Sequence, residues 1–239
     1  METLKNKVAI ITGASRGVGR ATALVFAQAG AKVVLASRTQ RDLQAVENLI
    51  RTDGGEALAV TADVTQADAV ETLIDRTLDA YGQIDILVNN AGIGIFEMVV
   101  DSEPETWSQV VDSNLKSVYL CSRSVLHPML ARGCGQIINV LSIAAKVPFK
   151  AASAYCAAKA GALALTKVLS EEVRGEGIRV TAVSPGSIES SFWDEIDQHP
   201  DFDLMLKPEH VAETIRFVVT QPIGMVIEEI IVTPPRGIL

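Results

Sequence analysis

Aromatic side chains make up only 5% of the 239 residues, which leaves too few rings to build a core on them. Hydrophobic residues nevertheless reach 48%, so a substantial core must come from Val, Ile, Leu and Ala. That aliphatic bias suits a parallel sheet covered by helices. Cysteine is scarce too. Cys121, Cys134 and Cys156 are odd in number and form no CxxC pair, so they read as reduced packing residues. His127, His199 and His210 lack metal-ligand spacing, and no metal site is expected. No Lys/Arg run interrupts a chain with 21 basic and 29 acidic side chains, net charge −8, which excludes a general affinity for nucleic acid. The longest stretch without a charge, Gly133 to Ala145, is too short to span a bilayer. Met1 leads through charged residues directly into a strand-like segment, leaving no room for a signal peptide, so the cytoplasm is the expected location.

What is present is alternation. Short aliphatic runs at Val8–Thr12, Lys32–Ala36, Ala57–Thr61, Ile84–Asn89, Gln136–Ser142, Arg179–Ser184 and Glu229–Val232 read as strands. Helical patterns lie between them near 17–29, 39–53, 66–81, 104–132, 153–174 and 208–220. This rhythm predicts an α/β fold: a single-domain, Rossmann-type, doubly wound parallel sheet of about seven strands with helices on both faces. No Pro/Gly/Ser-rich linker or fixed-period repeat divides residues 1–239. Residues 186–207 break the rhythm, carrying Phe192, Trp193 and Phe202 among six acids, and read as a substrate lid at a strand's C-terminal end. Residues 151–169 are small or apolar on nearly every side of the helix. The second face is expected to meet another subunit, giving a homo-oligomer, dimer or tetramer, through helices 104–132 and 153–174.

After the first strand comes Thr12-Gly13-Ala14-Ser15-Arg16-Gly17-Val18-Gly19, which opens a helix. Glycines permit a tight turn and let backbone approach a pyrophosphate at a helix N-terminus. Placed between a strand and a helix, with a second strand following, the cluster favours dinucleotide binding. Its spacing, T-G-x-x-x-G-x-G, resembles that of the short-chain dehydrogenase/reductase family. Further family motifs follow in order: Asp63-Val64, Asn89-Asn90-Ala91-Gly92, Asn114, Ser142, Tyr155-x-x-x-Lys159 and Pro185-Gly186. The resemblance spans essentially the whole chain.

An NAD-specific site needs a carboxylate after the second strand for the ribose 2′-hydroxyl. Ser37 and Arg38 stand there instead. A carboxylate would repel a 2′-phosphate, whereas Ser37 can donate to it and Arg38 can grip it, with Arg16 in reach from the glycine turn. The family resemblance implies the same choice, NADP(H).

Tyr155 and Lys159 are four apart on a helix and share a face. A neighbouring ammonium lowers a Tyr pKa towards the working range of an acid–base catalyst. The resemblance assigns the roles. Tyr155 exchanges a proton with the carbonyl oxygen, Lys159 tunes Tyr155 and holds the nicotinamide ribose, Ser142 bonds the substrate oxygen, and Asn114 supports a relay water. It also implies that Asp63 and Val64 meet the adenine, that Asn90, Ala91 and Gly92 pass behind the ribose, and that Pro185, Gly186, Ile188 and Ser190 line the nicotinamide. Ser190 replaces the family's usual Thr.

The implied activity is hydride transfer between nicotinamide and a carbonyl or secondary alcohol of a small soluble substrate. The overall pattern lies near the 3-oxoacyl-[acyl-carrier-protein] reductases, which supply the alternative reading. Against that alternative, Glu176 stands where carrier-dependent members place a base, and no Lys or Arg occurs between Arg179 and Lys207. A small patch from Arg132 and Arg174 would speak for it. A third reading is a catalytically silent NADP(H) sensor on the same fold.

Overall fold

A computed structural model describes residues 4–190, 193 and 201–237. Seven strands form one parallel sheet: β1 (Val8–Thr12), β2 (Lys32–Ser37), β3 (Glu56–Thr61), β4 (Ile86–Asn89), β5 (Gly135–Val140), β6 (Ile178–Pro185) and β7 (Glu229–Val232). Their order across the sheet is β3-β2-β1-β4-β5-β6-β7. The chain therefore winds outward from β1 to β3, returns to the far side of β1, and winds outward again. The crevice between β1 and β4 is the topological switch point, where open α/β sheets take their ligands.

Alternation along the strands explains the two covered faces. Ala9, Ile11, Val33 and Leu35 point to one side, against Ala23 and Phe26 of α1 (Gly17–Gln28), Leu43 and Ile50 of α2 (Gln40–Thr52), and Val211 and Ile215 of α7 (Pro208–Val219). Val8, Ile10, Val34 and Ile137 point to the other, against Leu73 of α3 (Ala67–Tyr81), Val125 and Met129 of α5 (Ser117–Arg132) and Leu169 of α6 (Ser153–Val173). Side chains two apart share a face, so aliphatic runs rather than polar alternation are what a doubly covered strand requires.

Beneath the site the layers are keyed by polar bonds. Asn89 Nδ2 on β4 donates to Asn139 Oδ1 on β5 (2.9 Å) and to Ser122 Oγ on α5 (3.0 Å), and Asn139 Nδ2 donates to Thr166 Oγ1 on α6 (2.8 Å). All four residues are buried, where such bonds fix one register of helix on sheet.

Most expected elements end within two residues of the observed ones. The helix expected over 104–132 differs. It divides into α4 (Pro104–Val111), a π-helical turn over Asp112–Lys116, and α5. Asn114 causes the break: its Nδ2 donates to the Val110 carbonyl at 2.8 Å, the acceptor its own backbone N–H would use in an α-helix. The strand expected to reach Ser142 stops at Val140, because Ser142 Oγ accepts from Ala144 N–H at 3.1 Å and caps a 3₁₀ turn.

Candidate active site

The turn after β1 is stitched to the turn after β4. Thr12 Oγ1 accepts from the N–H groups of Asn90 and Ala91, both at 3.0 Å, and Asn90 Nδ2 donates to the Thr12 carbonyl at 3.0 Å. Packing forces two of the glycines. A Cβ on Gly13, whose φ is +65°, would stand 3.0 Å from Ala91 Cα, and one on Gly19 would run into the Gly13 carbonyl. Helix α1 begins at Gly17 with no side-chain cap and no acid in its first turn. Its leading N–H groups are therefore open to an anion, with no carboxylate of the first turn competing for them. Ser15 and Val18 border this turn, Val18 leaning on the core.

Arg16 and Arg38 are both exposed near the ends of β1 and β2, and Ser37 Oγ accepts from Thr39 N–H. Asp63 follows β3. Burial alone would raise its carboxyl, but the Thr65 N–H and hydroxyl, at 3.0 and 2.8 Å, outweigh it together with the Arg38 and Lys116 charges. The net displacement is below the ordinary value. Both Thr65 bonds fall on Oδ1, leaving Oδ2 clear of them. The Val64 side chain is buried in the core, so only its backbone can meet a ligand.

The second half of the site gathers at the C-terminal ends of β4, β5 and β6. Tyr155 and Lys159 lie in the first turns of α6, and the Tyr155 and Ser142 side chains are hydrogen-bonded. Lys159 is 5% exposed; its ammonium donates to the Val140 carbonyl at 3.1 Å and lies 5.6 Å from the Tyr155 ring centre. Asn114 anchors itself by donating to the Ile93 carbonyl at 2.7 Å as well as to Val110. Its Oδ1 is buried with no partner among the described residues. A Cβ on Gly92 would collide with that oxygen and stand 3.7 Å from Lys159 Nζ, so the glycine keeps the space between Asn114 and Lys159 open. An orphaned acceptor beside a buried ammonium is a place for a bridging water.

The expected depression of the Tyr155 pKa is reversed. Burial pushes the phenol up to about 12, with the Ser142 hydrogen bond acting the other way. Burial also lowers the Lys159 ammonium to about 8. Burial dominates at both groups, and at Tyr155 the Ser142 hydrogen bond offsets only part of it.

Beyond β6, Gly186 N–H donates to the Val232 carbonyl at 2.8 Å. Ile188 pairs with Leu206, joining the two stems of the expected lid, and Trp193 Nε1 donates to the Ile188 carbonyl at 2.7 Å. Ser190 abuts the glycine turn, its Cβ 3.9 Å from where a Cβ on Gly17 would stand. Residues 191, 192 and 194–200 of the expected lid, with Phe192, Asp194, Glu195 and Asp197, lie outside the described residues.

Sequence reasoning missed three groups here. The carbonyls of Val140 and Ile93 hold Lys159 and Asn114, and no residue type signals a backbone role. Phe96, with its ring centre 5.9 Å from that of Tyr155, sits in a loop whose path no periodicity marks. Among the described residues no cluster of His, Cys, Asp or Glu could hold a metal ion, and no helix is long and apolar enough to cross a membrane.

Residues 7–201 match the family model described as short chain dehydrogenase. A 3-oxoacyl-[acyl-carrier-protein] reductase from Synechocystis sp. is 41% identical over 230 residues, covering 93% of this chain and 92% of the relative. A metagenomic short-chain oxidoreductase solved in complex with NADP is 35% identical with a TM-score of 0.87, covering 98% of this chain and 99% of its own. An actinorhodin polyketide ketoreductase variant with NADPH is 29% identical with a TM-score of 0.89, over 98% of both chains.

Proposed function

The chain belongs to the short-chain dehydrogenase family, and from that premise we propose that it is an NADP(H)-dependent oxidoreductase interconverting a carbonyl and a secondary alcohol on a small soluble substrate. The observation that carries this reading is the hydrogen-bonded Ser142–Tyr155 pair beside buried Lys159, at the strand ends that face the glycine turn.

The residues fit the cofactor. The uncapped start of α1 suits a pyrophosphate, and Gly13, Ser15, Gly17 and Gly19 let the backbone approach it. Ser37, Arg38 and Arg16 would hold the 2′-phosphate, Asp63 and the Val64 backbone the adenine, and Asn90, Ala91 and Gly92 the ribose side. Pro185, Gly186, Ile188 and Ser190 would border the nicotinamide. When bound, NADP(H) supplies or accepts the hydride. The chain does the rest. Ser142 and Tyr155 hold the substrate oxygen, and Tyr155, protonated across the neutral range, gives its proton to that oxygen during reduction. Lys159 passes the replacement proton inward through a water that Asn114 Oδ1 would hold.

The chain assembles as a homo-oligomer through α4–α5 and α6, in the cytoplasm. In support, the outer face of α6 presents exposed Ala157, Ala160, Ala164 and Val168, and Tyr119 on α5 is 49% exposed.

Reduction of 3-oxoacyl groups on acyl carrier protein has the identity with the Synechocystis reductase in its favour. The charges oppose it. Arg132 is held by Asp85 at 3.1 Å and Arg174 by Glu171 and Glu228, so neither stands free for an acidic carrier, and Glu176 adds repulsion beside them. A fluorescence titration with NADPH and NADH, followed by turnover on ketones, diketones, keto esters and acyl thioesters, decides between the readings. Tyr155→Phe should abolish turnover while leaving NADPH affinity within about threefold; turnover surviving in that variant overturns the mechanism.

A further inference from the structure

Ser142 sits on a turn that is fastened at both ends. Upstream, Leu141 N–H donates to the Val183 carbonyl on β6 at 2.7 Å. Downstream, the Lys146 ammonium lies 2.8 Å from Glu229 Oε1 on β7. β6 stands between β5 and β7, so this ion pair ties the turn after β5 to a strand two places away. Glu229 is itself placed by the sheet, in register with Ala182 of β6.

Between the fastenings the turn is tight. Ala144 N–H donates to Ser142 Oγ at 3.1 Å, Ala145 N–H to the Ser142 carbonyl at 3.0 Å, and Lys146 N–H to the Ile143 carbonyl at 2.8 Å. Groups bonded this closely along the chain move together, so a shift at Lys146 carries the Ser142 hydroxyl with it. That hydroxyl is the one bonded to Tyr155. Lys146 stands four residues after Ser142 and nine before Tyr155, and the chain onward to α6 passes through Ala151, whose φ of +63° is left-handed backbone. Glu229 Oε1 is buried, and the ammonium is its one close partner among the described residues. Side-chain exposure is 20% for Glu229 and 38% for Lys146. A carboxylate oxygen withdrawn from water is unfavourable unless a charge meets it, so the two ends resist separation.

We infer that the Lys146–Glu229 ion pair positions Ser142, holding its hydroxyl where it can bond both Tyr155 and the substrate oxygen. Lys146 and Glu229 are positioning residues that act through the turn. The inference rests on the carbonyl-reductase reading above, which gives Ser142 its role.

The test follows NADPH-dependent reduction of 2,3-butanedione, ethyl pyruvate and acetoacetyl-coenzyme A by the wild type, Lys146→Met, Glu229→Gln, the double variant and Lys146→Arg. On the fastest of the three, each single neutralisation should lower kcat about tenfold, because a small displacement of a reacting group is felt in the rate. KM and the NADPH dissociation constant should stay within about twofold, the pattern of a contact that matters in the transition state. The double variant should be no slower than the singles, since all three lack the same contact. Lys146→Arg, which keeps the charge, should hold kcat within about threefold of the wild type. An unchanged kcat in either single variant, or single effects that multiply in the double variant, overturns the inference. So does a parallel loss of NADPH binding, which makes the pair a prop of the whole fold. NADPH binding by the wild type without turnover of any of the three carbonyls removes the reductase reading, and the inference with it.

Discussion

Lys159 holds a positive charge at 5% exposure, and the stability of the protein should record that burden. Its pKa falls from 10.5 to about 8 through burial. At roughly 1.4 kcal/mol per pH unit, keeping the charge in the folded chain costs about 3 kcal/mol at neutral pH. Lys159→Met removes the charge and keeps the length of the side chain. It also strips the Val140 carbonyl of its donor at 3.1 Å, which gives back about 1–2 kcal/mol. The variant should therefore be inactive yet more stable than the wild type by about 1–2 kcal/mol at pH 7.

The pH dependence has a fixed sign. Below pH 8 the folded and unfolded chains both carry the proton, and the burden is complete. Between about 8 and 10.5 the folded chain gives the proton up first, so wild-type stability rises relative to the variant as pH increases. By pH 10 the burden falls to about 1 kcal/mol, below the hydrogen bond the variant lacks, so the gap should have closed and begun to reverse. Urea denaturation at pH 7, 8.5 and 10, at one fixed protein concentration, measures it. A variant less stable at pH 7, or a gap that does not change with pH, refutes the reasoning.

Two further outcomes are expected. Arg38→Ala should weaken NADPH binding about ten- to a hundredfold, the worth of one charge-assisted hydrogen bond, and leave NADH binding unaltered, as read by fluorescence titration. Ala151→Gly should stabilise the chain by about 0.5–1 kcal/mol, because relief of the left-handed backbone exceeds the added freedom of the unfolded glycine; a thermal melt should show the midpoint rising by about 1–4 °C.

The sheet could be read from the sequence because doubly covered strands leave an unmixed aliphatic signature, and runs such as Val8–Thr12 and Lys32–Ser37 carry it. The glycine turn was equally legible, since its glycines answer a backbone demand that no other residue meets. The family resemblance set Ser142 beside Tyr155, and their side chains are hydrogen-bonded. What stayed hidden depends on contacts between side chain and backbone. The motif names Asn114 as a site residue, but the break in 104–132 makes sense only once its amide is seen on the Val110 carbonyl. The Tyr155 acidity was misjudged for a related reason. Spacing shows that an ammonium is near, whereas the degree of burial that raises the phenol is a property of the assembled layers.

The pairing of β1 with β4 also bears on how the protein reaches and leaves its folded state. Val8 and Asp85, bonded at 2.8 Å along that seam, are 77 residues apart. Closing so long a loop is entropically slow, and parallel pairing rewards the chain only once it is closed. The crevice that receives the dinucleotide is the same seam, so it exists only after the barrier is crossed. Nucleotide bound there stabilises only a chain in which that pairing has formed, so NADPH should raise the unfolding midpoint in a concentration-dependent way.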